Sequence, residues 1–168
     1  TREIARRFNH LYRDIFPVPE PLLTRVPKLL GIDGRKMSKS YENAIFIGDR
    51  GDDLKQKVNA MFTDPQRMRK CDPGRPELCN VFTMHGLYSG ADEAAEIAID
   101  CRRAGIGCTE CKRRLAERIG EGLREIHERQ AYYRLHRSEV QEIIRDGNVR
   151  AAEIARQTLQ EVREAVKI

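Results

Sequence analysis

Apolar positions recur at helical spacing at both ends of this chain and lose that spacing between them. Ile4 and Phe8 lie four apart, so residues 1–12 are expected to be helical with Thr1 as the cap. Pro17, Pro19, Pro21 and Pro27 exclude helix or central strand from Phe16 to Pro27 and predict an extended connection, anchored by Leu22 and Leu23. Asp33-Gly34 signals a turn, and Ala44-Ile45-Phe46-Ile47 suits a short strand or a buried loop. From about Asp52, Leu54, Val58 and Met61 share one helical face, with Asp52 or Asp53 as cap. Thr63-Asp64-Pro65 should end that helix, a second short helix should follow through Arg67 and Met68, and Asp72-Pro73-Gly74 should turn.

The remainder reads as helix. Ala94, Ile97, Ala98 and Cys101 line a face that begins near Asp92 and is interrupted by Gly105 and Gly107. Leu115, Ile119, Leu123 and Ile126 predict one helix from about Thr109 to Leu135. Ser138 and Gln141 have capping-box spacing, Val140, Ile143 and Ile144 should face inward, and Gly147 should stop that turn. Ile154, Ala155, Thr158, Leu159, Val162 and Val166 mark a last helix.

Composition narrows the class. With 168 residues the chain can bury a moderate core, and its charged content of 34% and apolar content of 40% suit a globular protein. No apolar run is long enough to cross a membrane, and no secretory signal is visible at the start. The formal charge of +5 permits an acidic partner without demonstrating one. Five cysteines without a secretory context argue against a disulfide scaffold.

The densest chemistry is Gly34-Arg35-Lys36-Met37-Ser38-Lys39-Ser40. Ammonium groups can meet charge that builds on a leaving pyrophosphate, and serine hydroxyls and loop amides can donate to phosphate oxygens. Gly31 and Gly34 let the backbone bend ahead of them. Their spacing from Lys36 is not that of the NTPase phosphate loop. The bland alternative is a solvated basic turn.

This string resembles the signature loop of class I aminoacyl-tRNA synthetases. Together with Thr1–Asn9, the proline-rich connection, Gly31–Tyr41, Thr63-Asp64-Pro65 and the cysteine region, it resembles bacterial tryptophanyl-tRNA synthetases from end to end. The resemblance implies a mainly α chain: the C-terminal edge of a Rossmann-like catalytic domain (residues 1–48), followed by a helical anticodon-binding domain (residues 49–168) with a four-cysteine metal site. It implies activation of tryptophan by ATP with Mg2+ and transfer to tRNA(Trp), in a cytoplasmic homodimer. Lys36 and Lys39 would act on the triphosphate. Ser38 and Ser40 would support the loop, Met37 would line the nucleotide side, and Val26 would lie beside adenine. Glu42 and Asn43 would order the loop. The family's histidine–glycine signature and tryptophan pocket have no counterpart in this sequence, whose His10, His85, His127 and His136 are scattered. The chain therefore corresponds to the C-terminal half and is expected to be inactive alone in adenylate formation. The alternative is a stand-alone tRNA-binding or regulatory module derived from the synthetase.

Cys79, Cys101, Cys108 and Cys111 form a C-x21-C-x6-C-x2-C pattern. The last pair can reach one metal centre, and spacing alone leaves structural zinc, an iron–sulfur cluster and free thiols open. The resemblance implies a [4Fe–4S] cluster of the type some bacterial tryptophanyl-tRNA synthetases carry. Cys71 lies outside the pattern. Arg67, Arg69 and Lys70 form one basic group, and Arg102, Arg103, Lys112, Arg113, Arg114 and Arg118 another. These, with Tyr132, Tyr133 and Arg134, are candidates for RNA contact. Asp64 and Asp72 are candidates for caps or arginine partners.

Overall fold

The structure is a computed structural model that describes residues 1–24, 26 and 28–168. Pro27, the last of the expected linker prolines, lies outside the described residues. The chain forms two compact units, Thr1–Arg25 with Ala131–Ile168, and Val26–Gln130. It is mainly helical, and among the described residues the only β pairing is an isolated antiparallel bridge between Leu30 and Lys36.

In the first unit, α1 spans Arg2–Leu11. Thr1 sits at the cap position without a side-chain cap bond, and its carbonyl accepts from Ala5 N at 3.0 Å. Phe8 packs against Tyr12 and Phe16, each with ring centroids 4.9 Å apart. Asn9 closes the turn after α1. Its Oδ1 accepts from the amides of Ile15 and Phe16, and its Nδ2 donates to Phe16 O. The proline-rich stretch is extended as expected, but Leu22 is fully exposed and Leu23 is 70% exposed, so neither anchors it.

The C-terminal helix of this unit, α7, spans Arg137–Val166 without interruption. Gly147 does not stop it, because a single glycine costs a helix only about 1 kcal/mol and the turns on both sides continue. Ser138 falls inside the first turn. The cap position belongs to His136, whose Nδ1 lies 2.8 Å from Tyr132 O and whose ring stacks on Tyr132 at 3.9 Å. Ile143 and Ile144 are exposed, not inward.

The second unit is built on α2 (Gly51–Ala60), α3 (Asn80–Tyr88), α4 (Ala91–Arg102) and α5 (Cys108–Gly122). Its core joins Leu54, Val58 and Met61 to Val81 and Met84 of α3 and to Leu115, Ala116, Ile119 and Leu123. Each large side chain buried there contributes about 1.5–3 kcal/mol. Arg50, not Asp52 or Asp53, occupies the cap of α2. The expected long helix from Thr109 is divided at Leu123 into α5 and α6 (Arg124–Leu135), and Ile126 is exposed. Gly122, the last residue of α5, lies under Tyr88: a Cβ there would stand 3.0 Å from the ring. Ala44 is buried and Ile45 half-buried in a loop, while Phe46 and Ile47 emerge from it.

Between α2 and α3 the chain turns without the short helix expected at Arg67. Asp64 organises this segment. Its carboxylate accepts from the amides of Gln66 and Arg75 and from the Arg75 guanidinium, at 3.0 Å through Nε and 2.5 Å through the terminal nitrogen. Asp72 accepts from the amides of Met68 and Arg69. The arginine hydrogen bonds hold the Asp64 carboxyl well below its usual 3.8. A depressed carboxyl pKa contributes stability that is complete above the unfolded value and fades as pH falls through the folded one. Replacing Asp64 by Asn is expected to lower the thermal midpoint by several degrees at neutral pH. The gap to wild type should narrow on acidification below 3.8, as read by circular-dichroism melts across a pH series.

Candidate functional site

The basic loop is a short hairpin. Leu30 bridges Lys36, Gly31 N donates to Arg35 O at 2.7 Å, and Met37 N donates to Leu29 O at 3.0 Å. The expected turn forms at Asp33-Gly34, where Gly34 takes φ +80 and its amide donates to Gly31 O. Lys39–Tyr41 make one 3-10 turn, and Glu42 closes it in the left-handed region.

Asn43 holds this hairpin from inside and is only 2% exposed. Its Oδ1 accepts from Ser38 N at 2.8 Å, and its Nδ2 donates to Asp33 Oδ1 at 2.8 Å and Lys36 O at 3.2 Å. Its carbonyl accepts from Ile32 N. Asp33 also accepts from Arg35 through main chain and side chain, and these contacts, led by the Asn43 amide, lower its pKa. Gly31 leaves the space Asn43 needs: a Cβ there would lie 2.3 Å from the amide. A second buried asparagine, Asn80 at the start of α3, donates to Gly31 O at 2.9 Å and Leu30 O at 3.4 Å.

The consequence is a loop whose main chain is satisfied internally and whose cations face solvent. Lys36 and Lys39 are exposed, and neither enters an ion pair among the described residues. Ser38 and Ser40 lie 2.9 Å apart, oxygen to oxygen, on the same rim. Met37 is half-buried, as is Val26, eleven residues earlier in the chain.

Cys79, Cys101, Cys108 and Cys111 come together around one cavity of about 20 Å3, with Arg67, Val81, Ile97 and Ile106 in its wall. Burial, then the neighbouring thiols of Cys79, Cys101 and Cys108, push the Cys111 thiol up to about 12. Burial also raises Cys101, opposed by the Arg67 guanidinium. That guanidinium is 3.6 Å from Cys101 Sγ and donates to Lys70 O and Ile106 O, while its Nε is buried without a partner. Gly74 sits directly on Cys101. A Cβ there would fall 2.5 Å from the sulfur. Cys71 is exposed and does not line the cavity.

His85, one of the four scattered histidines, lies behind Cys111 without lining the cavity. It is fully buried, with Nδ1 2.8 Å from Ser89 Oγ and Nε2 3.1 Å from Cys111 O. A carbonyl only accepts, so Nε2 carries the proton and Nδ1 takes one from Ser89. The same Nε2 is 3.5 Å from Cys111 Sγ, and burial holds the ring neutral by lowering its pKa. The helical i, i+4 spacing of His85 and Ser89 was the available signal. Four thiols in an apolar wall are a donor set that suits a soft metal centre. The bare backbone of Gly74 covers one face of that set, where a side chain would collide with Cys101. Among the described residues, no three His, Cys, Asp or Glu side chains converge to hold a metal ion as they stand.

The second basic group is largely neutralised within its own helices. Arg113 pairs with Glu110 and Glu117, Arg114 with Glu110, and Arg118 with Glu93 and Glu121. Arg102 pairs with Glu77 and Arg103 with Asp100. Hydrogen bonds from Arg113 and then Arg114 lower the Glu110 carboxyl to about 2. Lys112 donates to Asn59 O. In the first unit, Tyr132 donates to Glu139 and meets Tyr133 edge-on.

A family profile described as tRNA synthetases class I (W and Y) matches residues 1–124. The chain belongs to that family. It is 48% identical to the tryptophan–tRNA ligase of Aquifex aeolicus, over 100% of this chain and 43% of the relative. It is 43% identical to the Thermotoga maritima tryptophan–tRNA ligase, over 100% of this chain and 52% of the relative. A crystal structure of tryptophanyl-tRNA synthetase from Campylobacter jejuni, complexed with ADP and tryptophan, matches with TM-score 0.78 at 29% identity. That match covers 99% of this chain and 52% of the other. The chain thus spans about half the length of these synthetases.

Replacing Asn43 by Ala should cost roughly 1–3 kcal/mol, because buried loop groups lose their partners. Asn43→Asp should not rescue it, since a carboxylate would then face Asp33 across the 2.8 Å now bridged by the amide. Urea denaturation of both variants measures this.

Proposed function

We propose that this chain is the phosphate-loop and helical part of a bacterial tryptophan–tRNA ligase. The observation that supports it best is the Lys36–Ser40 rim: two unpaired ammonium groups and two hydroxyls on an internally satisfied hairpin, in a chain of this family. In this reading residues 1–48 belong to the catalytic domain and residues 49–168 to the anticodon-binding domain. The whole enzyme would be a cytoplasmic homodimer that acts on tRNA(Trp).

Adenylate formation needs no protein nucleophile. A tryptophan carboxylate oxygen attacks the α-phosphorus of Mg-bound ATP, and the bond to the bridging oxygen breaks to release pyrophosphate. Negative charge moves onto that leaving group. Lys36 and Lys39 supply positive charge there, and a preorganised loop spends little free energy on rearranging when charge develops. The Ser38 and Ser40 hydroxyls donate to phosphate oxygens. Met37 and Val26 line the nucleotide side. The adenylate then yields its tryptophanyl group to the terminal ribose of the tRNA.

Cys79, Cys101, Cys108 and Cys111 are the residues that would hold a [4Fe–4S] cluster, with structural zinc as the alternative. Either centre supplies a cross-link between α3, α4 and α5 in place of the protons the buried thiols otherwise keep. The His85 Nε2–H is placed to donate toward the Cys111 sulfur, and Arg67 toward that of Cys101. Aminoacylation requires no electron transfer from this centre.

In the full-length gene product, Lys36→Ala and Lys39→Ala should each lower kcat/KM for tryptophan-dependent ATP–pyrophosphate exchange by about 10²-fold or more. Wild-type-like exchange in both variants would overturn the role assigned to the loop. Iron, acid-labile sulfide and zinc, quantified anaerobically on the same protein, decide between cluster and zinc. Cys108→Ser and Cys111→Ser should release whichever metal is found.

A further inference from the structure

The phosphate loop and the cysteine pocket are usually separable ideas, but in this chain consecutive residues serve both. Cys79 lines the pocket, and Asn80 is the first residue of α3. Asn80 is 3% exposed, and its Nδ2 reaches two successive carbonyls of the hairpin, Gly31 O and Leu30 O. The amide cannot be turned around, since its oxygen would then face both carbonyl oxygens. Among the described residues Asn80 Oδ1 is buried without a partner, and the side chain's hydrogen bonds are those to the loop. The two carbonyls belong to Leu30, a member of the Leu30–Lys36 bridge, and to Gly31, the next residue of the loop. Cys79 also accepts the Thr83 amide at 3.1 Å through its carbonyl, which places it at the N-cap of the same helix. Cys79 and Asn80 are adjacent in the chain, at the N-cap and first position of one helix, so a displacement of that first turn moves both residues.

We propose that Asn80 is a positioning residue for the phosphate loop, and that through it the loop's backbone order depends on the state of Cys79. A Cys79 thiol drawn into a metal centre would fix the first turn of α3. A released thiol lets that turn relax, and the carbonyls of Leu30 and Gly31 lose their fixed donor. The stiffness of the hairpin then varies with the pocket although the pocket takes no part in the reaction. The ATP arm of the test rests on the reading of the loop given above, whereas the exchange arm does not.

The experiment is hydrogen–deuterium exchange on the full-length gene product, as isolated and with its metal content quantified, for wild type, Asn80→Leu and Cys79→Ser. Asn80→Leu keeps the volume and removes the donor. Cys79→Ser keeps Asn80 and disturbs the pocket. Both variants should speed exchange roughly tenfold at the amides of Gly31, Met37 and Ser38. Amides of Leu115 and Ile119 in the core serve as the internal control for global unfolding. Should Asn80→Leu fail to fold, Cys79→Ser alone decides whether the loop follows the pocket. Unchanged loop exchange in a folded Asn80→Leu protein would overturn the positioning role, and unchanged loop exchange in Cys79→Ser would overturn the coupling. In the same samples the KM for ATP should rise several-fold more than kcat falls. Loop exchange that changes with no effect on ATP would leave the positioning role standing and count against the catalytic reading of the loop.

Discussion

The amide of Asn43 is the interaction on which the candidate site depends. Residues 31–43 make a tight hairpin that closes over the buried Asn43, so the polar groups on its inner side need partners from the protein. Asn43 supplies an acceptor to Ser38 N, donors to Asp33 and the Lys36 carbonyl, and its own carbonyl to Ile32 N. A net gain of about 1 kcal/mol per bond matters less than the penalty of about 1–3 kcal/mol for each buried group left unpaired. The lysine side chains are thereby excluded from structural work. They remain exposed cations on a fixed frame, the arrangement that electrostatic stabilisation of a polyanion requires.

Charge elsewhere in the chain behaves differently, and the contrast is informative. The formal excess is +5, yet Arg102, Arg103, Arg113, Arg114 and Arg118 each face a carboxylate. Most of these pairs are at i, i+3 or i, i+4 positions on exposed helix faces, where each contributes only a few tenths of a kcal/mol. Their effect is to flatten the local field, so counting basic residues overstates the attraction of this surface for phosphate. Arg67 has a structural use instead, spanning the Cys101 sulfur and two carbonyls beneath the pocket. The loop lysines, with no carboxylate opposite them, retain their field.

What could be read from the sequence divides along a physical line. The helix faces of Leu54, Val58 and Met61, of Ile97 and Ala98, and of Leu115 and Ile119 were legible because burial repeats with the helical period. So was the turn at Asp33-Gly34, where a positive φ calls for glycine. The misread positions are those settled by tertiary contact. Gly147 was read as a stop and is spanned by α7, whereas the helix breaks at Leu123, after the Gly122 that lies under Tyr88. Ser138 looked like a cap, and ring stacking gave the position to His136. In the site, the loop was found from its residue types and Asn43 from its proximity to them. Asn80 and His85 could not be found that way, because their partners lie 49 and 26 residues distant.

The cysteine pocket poses an energetic question that its residues themselves answer in part. Four thiols share an apolar wall, and ionising one of them is opposed by burial and by the other three, as Cys111 at about 12 records. Arg67 offsets this at Cys101 alone. A set of this kind is stable with its protons on or with a multivalent cation in their place, and is unfavourable as bare thiolates. Proteins that need only a hydrophobic core obtain more stability from Leu or Val at such positions, with no desolvation cost and no risk of oxidation. The missing side chain of Gly74 is used for contact: the main chain comes onto the Cys101 sulfur, where any side chain would collide, and its amide donates to Cys101 O at 2.9 Å. The Gly74 backbone, the buried His85 ring and the half-buried Arg67 guanidinium all pack against these sulfur atoms, so the thiols sit among polar neighbours that a purely apolar core lacks.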